Sequence, residues 1–218
     1  MACLHRLLTC FALLLTIAGN AGAQEKVMKV GVYANAPKIF VNDSNRADGI
    51  LIDLLRDIAK AEKWQLEFVP CEWEHCLAAV EAGQLDLLPD VAWSEERARV
   101  LDFHRTPALR SWSQVYRHPK TPVVTIADLD HKKLAILAGS IQQGYFADFA
   151  RDYGIRPELV PVASIEEGFR LVEERRADAA VANNFAGELQ AARHGLVETP
   201  IAFQPHRLFY ATGKNRNA

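Results

Sequence analysis

The chain has 218 residues, of which 50% are hydrophobic, 24% charged and 9% aromatic. This composition is typical of a globular protein with an apolar core, and it excludes collagenous, low-complexity and wholly disordered chains. Lysine and arginine total 25 against 27 aspartates and glutamates, a formal net charge of −2. Nucleic-acid binding needs a basic face, which this balance does not indicate, so we expect no polynucleotide partner.

Residues 1–23 have the features of a secretory signal peptide. A weakly basic start leads into an apolar run over residues 7–18, and Ala21-Gly22-Ala23 is a small-x-small cleavage signal. A membrane anchor is the alternative, but the apolar run is shorter than the roughly 20 residues that a spanning helix needs. We therefore expect cleavage after Ala23 and a location in the periplasm.

Two cysteines, Cys71 and Cys76, follow this leader. Two cysteines in an exported protein are typically paired. The pattern places Cys71 at the end of a strand and Cys76 in the first turns of a helix, which brings them within reach of a bridge. We predict a disulfide that acts as a local staple. Two buried free thiols, or a metal site that uses His75, are the alternatives.

Hydrophobic periodicity predicts a βαβαβ run in the first half of the chain. The predicted strands cover residues 27–33, 65–69 and 85–88. An apolar stripe at the spacing i, i+3, i+4, i+7 begins at Leu51 and predicts the first helix, and the second helix ends at Gly83. Such a run implies parallel strands joined by right-handed crossovers.

The same run repeats after Tyr116. Its predicted strands cover residues 134–137, 157–162 and 178–182, and its predicted helices cover 140–153, 164–175 and a segment that ends at His194. In each half the third strand has an aspartate at its entrance and finishes on a polar residue, Asp90 or Asn183. Because ligands bind beyond the carboxyl ends of strands in open α/β sheets, two such sheets predict a cleft between two lobes.

Two extended segments, residues 111–118 and 203–212, connect the halves and predict paired crossover strands that act as a hinge. The predicted fold class is therefore α/β and two-lobed. Lobe 1 is expected over residues 24–115, lobe 2 over 116–202, and a return strand to lobe 1 over 203–218. One continuous, doubly wound sheet is the alternative.

A short motif follows the first βαβαβ run. Gly83-Gln-Leu-Asp86 precedes a segment that holds Ser94, Arg97 and Phe103. With the leader and the two lobes, this arrangement resembles the periplasmic solute-binding proteins of family 3. That resemblance implies a type II periplasmic binding protein, which closes around its ligand by hinge motion. A terminal helix usually closes lobe 1 in this fold, and we expect it to be missing.

The resemblance also implies ligand-binding roles for single residues. Arg97 matches the family arginine that holds a ligand carboxylate, and its planar guanidinium suits bidentate pairing with a carboxylate. Ser94 is placed to cap the short helix that aims Arg97. Ser140 matches the family position at which lobe 2 presents a hydroxyl and helix N-terminal amides to the same carboxylate. Tyr33 matches the cleft-lining region, whereas we expect Trp73 to pack in the core.

Asn183 departs from the family pattern. Amino-acid-binding members carry an aspartate there that pairs with the α-ammonium of the ligand, and a neutral amide does not neutralise a buried ammonium. Asp90, at the corresponding strand end of lobe 1, is the candidate to supply the missing charge. The expected ligand is therefore a small polar molecule that carries a carboxylate. This molecule is similar to an amino acid, but it need not have an α-ammonium group.

The expected function is that of a receptor for an ABC importer, whose membrane subunits are its partners. The alternative is the ligand-sensing input domain of a membrane histidine kinase or diguanylate cyclase, with its own C-terminal signalling domain as partner. A periplasmic enzyme of the dehydratase type is the third hypothesis. The sequence has no His-Glu-x-x-His pair, Gly-x-Ser-x-Gly elbow or phosphate loop, so we expect no catalysis, no cofactor and no metal. Histidines such as His206 are expected to be solvated.

Overall fold

The computed structural model describes residues 26–216, so the predicted leader lies outside the described residues. The elements as far as the first connecting strand are β1 (Lys26–Val32), β2 (Phe40–Val41), β3 (Ala47–Asp48), α1 (Ile50–Glu62), β4 (Trp64–Pro70), α2 (Trp73–Ala82), β5 (Leu88–Ala92), α3 (Arg97–Val100), β6 (Leu101–Phe103) and β7 (Leu109–Arg117). A 3-10 turn (Ile126–Leu129), β8 (Lys133–Leu137), α4 (Ile141–Asp152), β9 (Glu158–Val162), α5 (Ile165–Glu173), β10 (Ala179–Asn183), α6 (Asn184–His194) and β11 (Val197–Gly213) follow. Within this range, no helix has the length and apolar character needed to cross a membrane.

Each lobe is built on parallel strands, as the βαβ pattern predicts. In lobe 1, β1 pairs with β4 in parallel over its whole length, and a parallel bridge joins Val30 to Leu87 just before β5. In lobe 2, β8 pairs in parallel with both β9 and β10. The predicted α/β fold is confirmed.

Two long strands connect the lobes. β7 and β11 pair antiparallel, from Val197 opposite Arg117 to Leu208 opposite Leu109. β11 also pairs with β5 and β6 of lobe 1, and β7 pairs with β10 of lobe 2. The two predicted crossover strands are therefore confirmed, although β11 starts before the predicted residue 203.

The central strand of lobe 2 is buried on both faces, as expected of a parallel strand covered by helices. Successive residues of β10 face opposite sides, because the side-chain period of a strand is two. Ala180 and Ala182 pack with Phe169 of α5, whereas Ala179 and Val181 pack with Phe146 of α4. The helices that the sequence pattern predicts thus lie on the two faces of one sheet.

An aspartate occupies the same position before the third strand of each lobe. Asp86 Oδ2 accepts a hydrogen bond from the Lys29 amide at 2.8 Å, and Asp178 Oδ2 accepts one from the Lys133 amide at 2.9 Å. The repeat read from the sequence is therefore also a structural repeat. The predicted strand 85–88 begins too early, because β5 starts at Leu88.

Candidate functional site

All five residues predicted to bind a ligand line one cleft between the lobes. They are Tyr33, Asp90, Arg97, Ser140 and Asn183. The cleft holds about 500 Å³ of space, its open mouth included. The sequence analysis missed further polar lining residues, chiefly Asn35, Lys38, Ser111 and His206.

Asp90 is neutralised inside lobe 1. Lys38 Nζ lies 2.8 Å from Asp90 Oδ1, and the two side chains are 2% and 0% exposed. Tyr33 Oη donates to Asp90 Oδ2 at 2.8 Å, and Asn35 Nδ2 donates to the same oxygen at 2.7 Å. A carboxylate offers about four acceptor positions, so donors of lobe 1 occupy most of them. This buried charge is both paired and hydrogen-bonded, which is the condition under which burial is tolerated.

The start of α1 fixes the loop that carries Lys38. The amide of Leu51 donates to Lys38 O at 3.0 Å, and the amide of Ile50 donates to Pro37 O at 3.1 Å. Gly49 has φ 117°, and a Cβ built there lies 2.5 Å from Lys38 O. Only glycine combines this backbone angle with this close approach. The Lys38 ammonium is therefore directed to Asp90 by backbone contacts.

The Tyr33 hydroxyl remains a hydrogen-bond donor. Burial, followed by the negative charge of Asp90, raises the pKa of Tyr33 well above its ordinary value. The phenol therefore keeps its proton at neutral pH.

Asp90 has φ 64°, in the left-handed region that Asp tolerates better than most residues. Backbone angles of this kind cluster at functional sites.

Arg97 lies under the Trp73 ring and is held by carbonyl oxygens. Its Nη1 donates to Ala92 O at 3.0 Å, its Nη2 donates to Gly139 O at 3.3 Å, and its Cζ lies 5.2 Å from the Trp73 ring centroid. Ser94 Oγ accepts from the Arg97 amide at 3.2 Å, as the sequence predicts. Burial lowers the pKa of Arg97, but a guanidinium keeps its charge in proteins. Two of its five N–H groups bond these carbonyls, which leaves donors for a ligand in the cleft.

Ser140 begins α4 on the lobe 2 side of the cleft. Its Oγ accepts from the Gln143 amide at 3.3 Å, as a capping box requires. The reciprocal bond of a capping box is shifted by one residue, because Gln143 Oε1 accepts from the Gly139 amide at 2.9 Å. Ile141 and Gln142, the next two residues of the helix, also line the cleft. Amides at a helix N-terminus attract anions, so this wall suits a carboxylate.

Hydrogen bonds across the cleft hold the lobes together. Gly139 O accepts from Trp73 Nε1 at 3.2 Å as well as from Arg97. Asn183 Nδ2 donates to Asn35 Oδ1 at 3.0 Å. The prediction that Trp73 packs only in the core is incomplete: Trp73 is 5% exposed, yet one edge of it lines the cleft and contacts lobe 2.

The Asn183 side chain links the end of β10 to Asp90 of β5 through Asn35. Its Oδ1 caps α6 by accepting from the Ala186 amide at 3.1 Å, and its Nδ2 bonds Asn35. Asn35 in turn donates to Asp90. The two polar residues found in the sequence repeat are therefore joined through one asparagine.

His206 is buried, which contradicts the expectation of a solvated histidine. It is 6% exposed, and its Nε2 lies 3.0 Å from Ser113 Oγ. Burial, followed by the positive charges of Lys38 and Arg97, lowers the pKa of His206 to about 4. No residue pattern indicates this burial, because a shift of register between Phe203 and His206 interrupts the alternation of β11.

Cys71 and Cys76 form a disulfide in the structure, with their Cα atoms 5.5 Å apart. The bridge ties the end of β4 to α2, the helix that carries Trp73 into the cleft. The oxidised state in solution stays a prediction. Among residues 26–216, no three His, Cys, Asp or Glu residues are grouped so as to hold a metal ion.

Comparison with known proteins agrees with this architecture. Residues 28–133 match the family described as bacterial extracellular solute-binding proteins, family 3. The L-cystine-binding protein TcyJ of Bacillus subtilis (strain 168) is 24% identical over 185 residues, which are 82% of this chain and 68% of that protein.

Two solved structures have the same fold. The sensor domain of a histidine kinase with similarity to periplasmic binding proteins has a TM-score of 0.79 at 26% identity, over 88% of this chain and 83% of that one. An ancestral arginine-binding protein bound to arginine has a TM-score of 0.78 at 23% identity, over 88% and 86% of the two chains. With its two lobes and its motif at Arg97, the chain is similar to the family-3 bacterial extracellular solute-binding proteins, whose family model matches residues 28–133.

Proposed function

We propose that the two lobes close on a small polar ligand through its carboxylate. The observation that carries this proposal is the position of Arg97, a buried cation with free donors, beside the N-terminus of α4. Arg97 reaches Gly139 O, the residue before Ser140, so the guanidinium and the helix terminus act on the same end of the cleft. Tyr33, Asp90 and Asn183 also line the cleft.

A pair of arginine variants tests this proposal. Arg97→Ala removes the guanidinium from the cleft, whereas Arg99→Ala removes a guanidinium that is 74% exposed and pairs with Glu95 at 3.7 Å. Amino acids and organic acids are first screened by thermal shift, because specific binding raises the melting temperature. We expect Arg97→Ala to abolish the ligand-induced shift and Arg99→Ala to keep it. An unchanged shift in Arg97→Ala contradicts the proposal.

We propose that the module is a receptor for an ABC importer. We also propose that it is exported to the periplasm and that residues 1–23 are removed by cleavage. The extracellular location of its family supports export. The mass of the exported protein, measured without reductant, tests both the cleavage after Ala23 and the Cys71–Cys76 disulfide. Neither catalysis nor a cofactor is part of the proposal, and turnover of a bound carboxylate by the purified protein contradicts it.

The second candidate role is a ligand-sensing input domain. The likeness to a histidine kinase sensor domain, at 26% identity over 88% of this chain, favours it. Deletion of the gene in the native cell separates the two roles. Loss of uptake of the labelled ligand supports the receptor, whereas unchanged uptake with loss of a ligand-dependent response supports the sensor.

A further inference from the structure

The charges of the cleft define the class of ligand more narrowly, an inference that rests on the proposed function. Among the described residues that line the cleft, Lys38 and Arg97 are the basic residues and Asp90 is the carboxylate. Lys38 and Asp90 neutralise each other at 2.8 Å, with both side chains buried. Arg97 bonds neutral carbonyl oxygens. Arg97 is therefore the one basic residue of the described lining that has no carboxylate partner in that lining.

Asp90 is already engaged by an ammonium group of this chain. Lys38 Nζ occupies Oδ1, while Tyr33 and Asn35 donate to Oδ2. A ligand ammonium that approached Asp90 Oδ1 would have to displace the Lys38 ammonium, which lies 2.8 Å from that oxygen. The Lys38 backbone is held by a hydrogen bond from the Leu51 amide to Lys38 O. The expectation that Asp90 supplies a charge for the ligand is therefore not supported by its contacts.

Lobe 2 contributes no carboxylate to the described lining of the cleft. Its polar lining residues, Ser140, Gln142 and Asn183, are neutral. Both polar atoms of the Asn183 side chain are hydrogen-bonded, to Ala186 and Asn35. Burial lowers the pKa of the nearby His206, and the positive charges of Lys38 and Arg97 lower it further.

We propose that the cleft selects a carboxylate that has no α-ammonium group. The carboxylate of such a ligand neutralises Arg97, and the Lys38 ammonium already fills the position next to Asp90. A zwitterionic amino acid would bury its ammonium without a free counter-charge, which is unfavourable. The ligand class is therefore a small monoanion, such as a hydroxy acid or a simple carboxylic acid.

Matched pairs of compounds test this selectivity on the wild-type protein. Calorimetry compares lactate with alanine, 3-phenyllactate with phenylalanine, and glutaramate with glutamine, so that each pair differs chiefly in the ammonium. We expect at least one acid without the ammonium to bind at least tenfold more tightly than its amino acid. Equal or tighter binding of the amino acid in every pair that binds overturns the inference, while the proposed carboxylate site stands. If no compound of any pair binds, both the inference and the proposed carboxylate site are contradicted.

A variant at Lys38 is a second test of the selectivity against the ligand ammonium. Lys38→Met frees Asp90 to accept a ligand ammonium, so we expect the preference within each pair to move at least tenfold toward the amino acid. Lys120→Met removes an exposed lysine outside the cleft and serves as the matched control. An unchanged preference in folded Lys38→Met overturns the inference. If Lys38→Met does not fold, Asn183→Asp places a carboxylate in the cleft by another route and is expected to shift the preference in the same direction.

Discussion

Asp90 and Asn183 occupy corresponding positions in the sequence repeat but have different chemistry. Asp90 lies in the middle of β5, not at its end as predicted, whereas Asn183 is the last residue of β10. Asp90, in β5 of lobe 1, pairs with Lys38 and accepts hydrogen bonds from Tyr33 and Asn35. Asn183, at the end of β10 in lobe 2, is neutral and caps α6. The difference shows that one lobe contains a complete ion pair of its own, while the other contributes neutral groups when the cleft closes.

The largest expected effect comes from removing the charge of Asp90. Asp90→Asn leaves the Lys38 ammonium buried without a counter-ion, which typically costs about 3–5 kcal/mol of stability. Urea unfolding measures the change, with Asp43→Asn as an exposed control. The double variant Lys38→Met/Asp90→Asn should recover much of the loss. Equal stability of Asp90→Asn and wild type would show that the pair is not buried in solution.

A smaller effect is expected when His206 is titrated. Its pKa is about 4 in the folded protein, below its ordinary value of 6.5, so the unfolded chain binds the proton first as the pH falls. Its contribution to stability is present above pH 6.5 and is lost between pH 6.5 and about 4. We expect His206→Gln to flatten the fall of melting temperature in this window.

The exposed His131, with a side chain 68% exposed, provides the control for that titration. His131→Gln removes an exposed histidine, so the comparison of the two variants isolates the effect of the buried position of His206. His104, whose pKa is also lowered by burial, remains in both variants and contributes a slope of the same sign. Identical profiles for His206→Gln and His131→Gln would contradict the burial of His206.

The smallest expected effect is at the neutral strand end. Asn183→Ala removes the cap of α6 and the bond to Asn35, and the loss of a helix cap typically costs about 1 kcal/mol. Because no charge is left unpaired, the loss in urea unfolding should be well below that of Asp90→Asn. A loss as large as that of Asp90→Asn would remove the distinction between the two residues.

Much of the fold was predictable from the sequence, because periodicity and turn chemistry are local signals. Gly83 ends α2 with φ 71°, and Ser164 caps α5, as their positions in the sequence indicate. Arg97 and Ser140 were predicted as site residues from the resemblance to the solute-binding family, which assigns a role to each position. The cleft followed from the rule that ligands bind at the carboxyl ends of strands.

Lys38 and His206 were not predictable in this way. A lysine is almost never fully buried unless it is paired, and its partner Asp90 lies 52 residues away in the chain. The burial of His206 depends on an irregularity in β11 that no residue pattern announces. Both residues owe their positions to contacts between distant segments, which local signals do not contain.

A crystal structure of the protein with its best-binding acid from the thermal-shift screen tests the central claim most directly. The account predicts the ligand carboxylate on Arg97 and the N-terminus of α4, with the bond between Lys38 and Asp90 intact. A ligand carboxylate bound away from Arg97, or a ligand ammonium on Asp90 with Lys38 displaced, would contradict it.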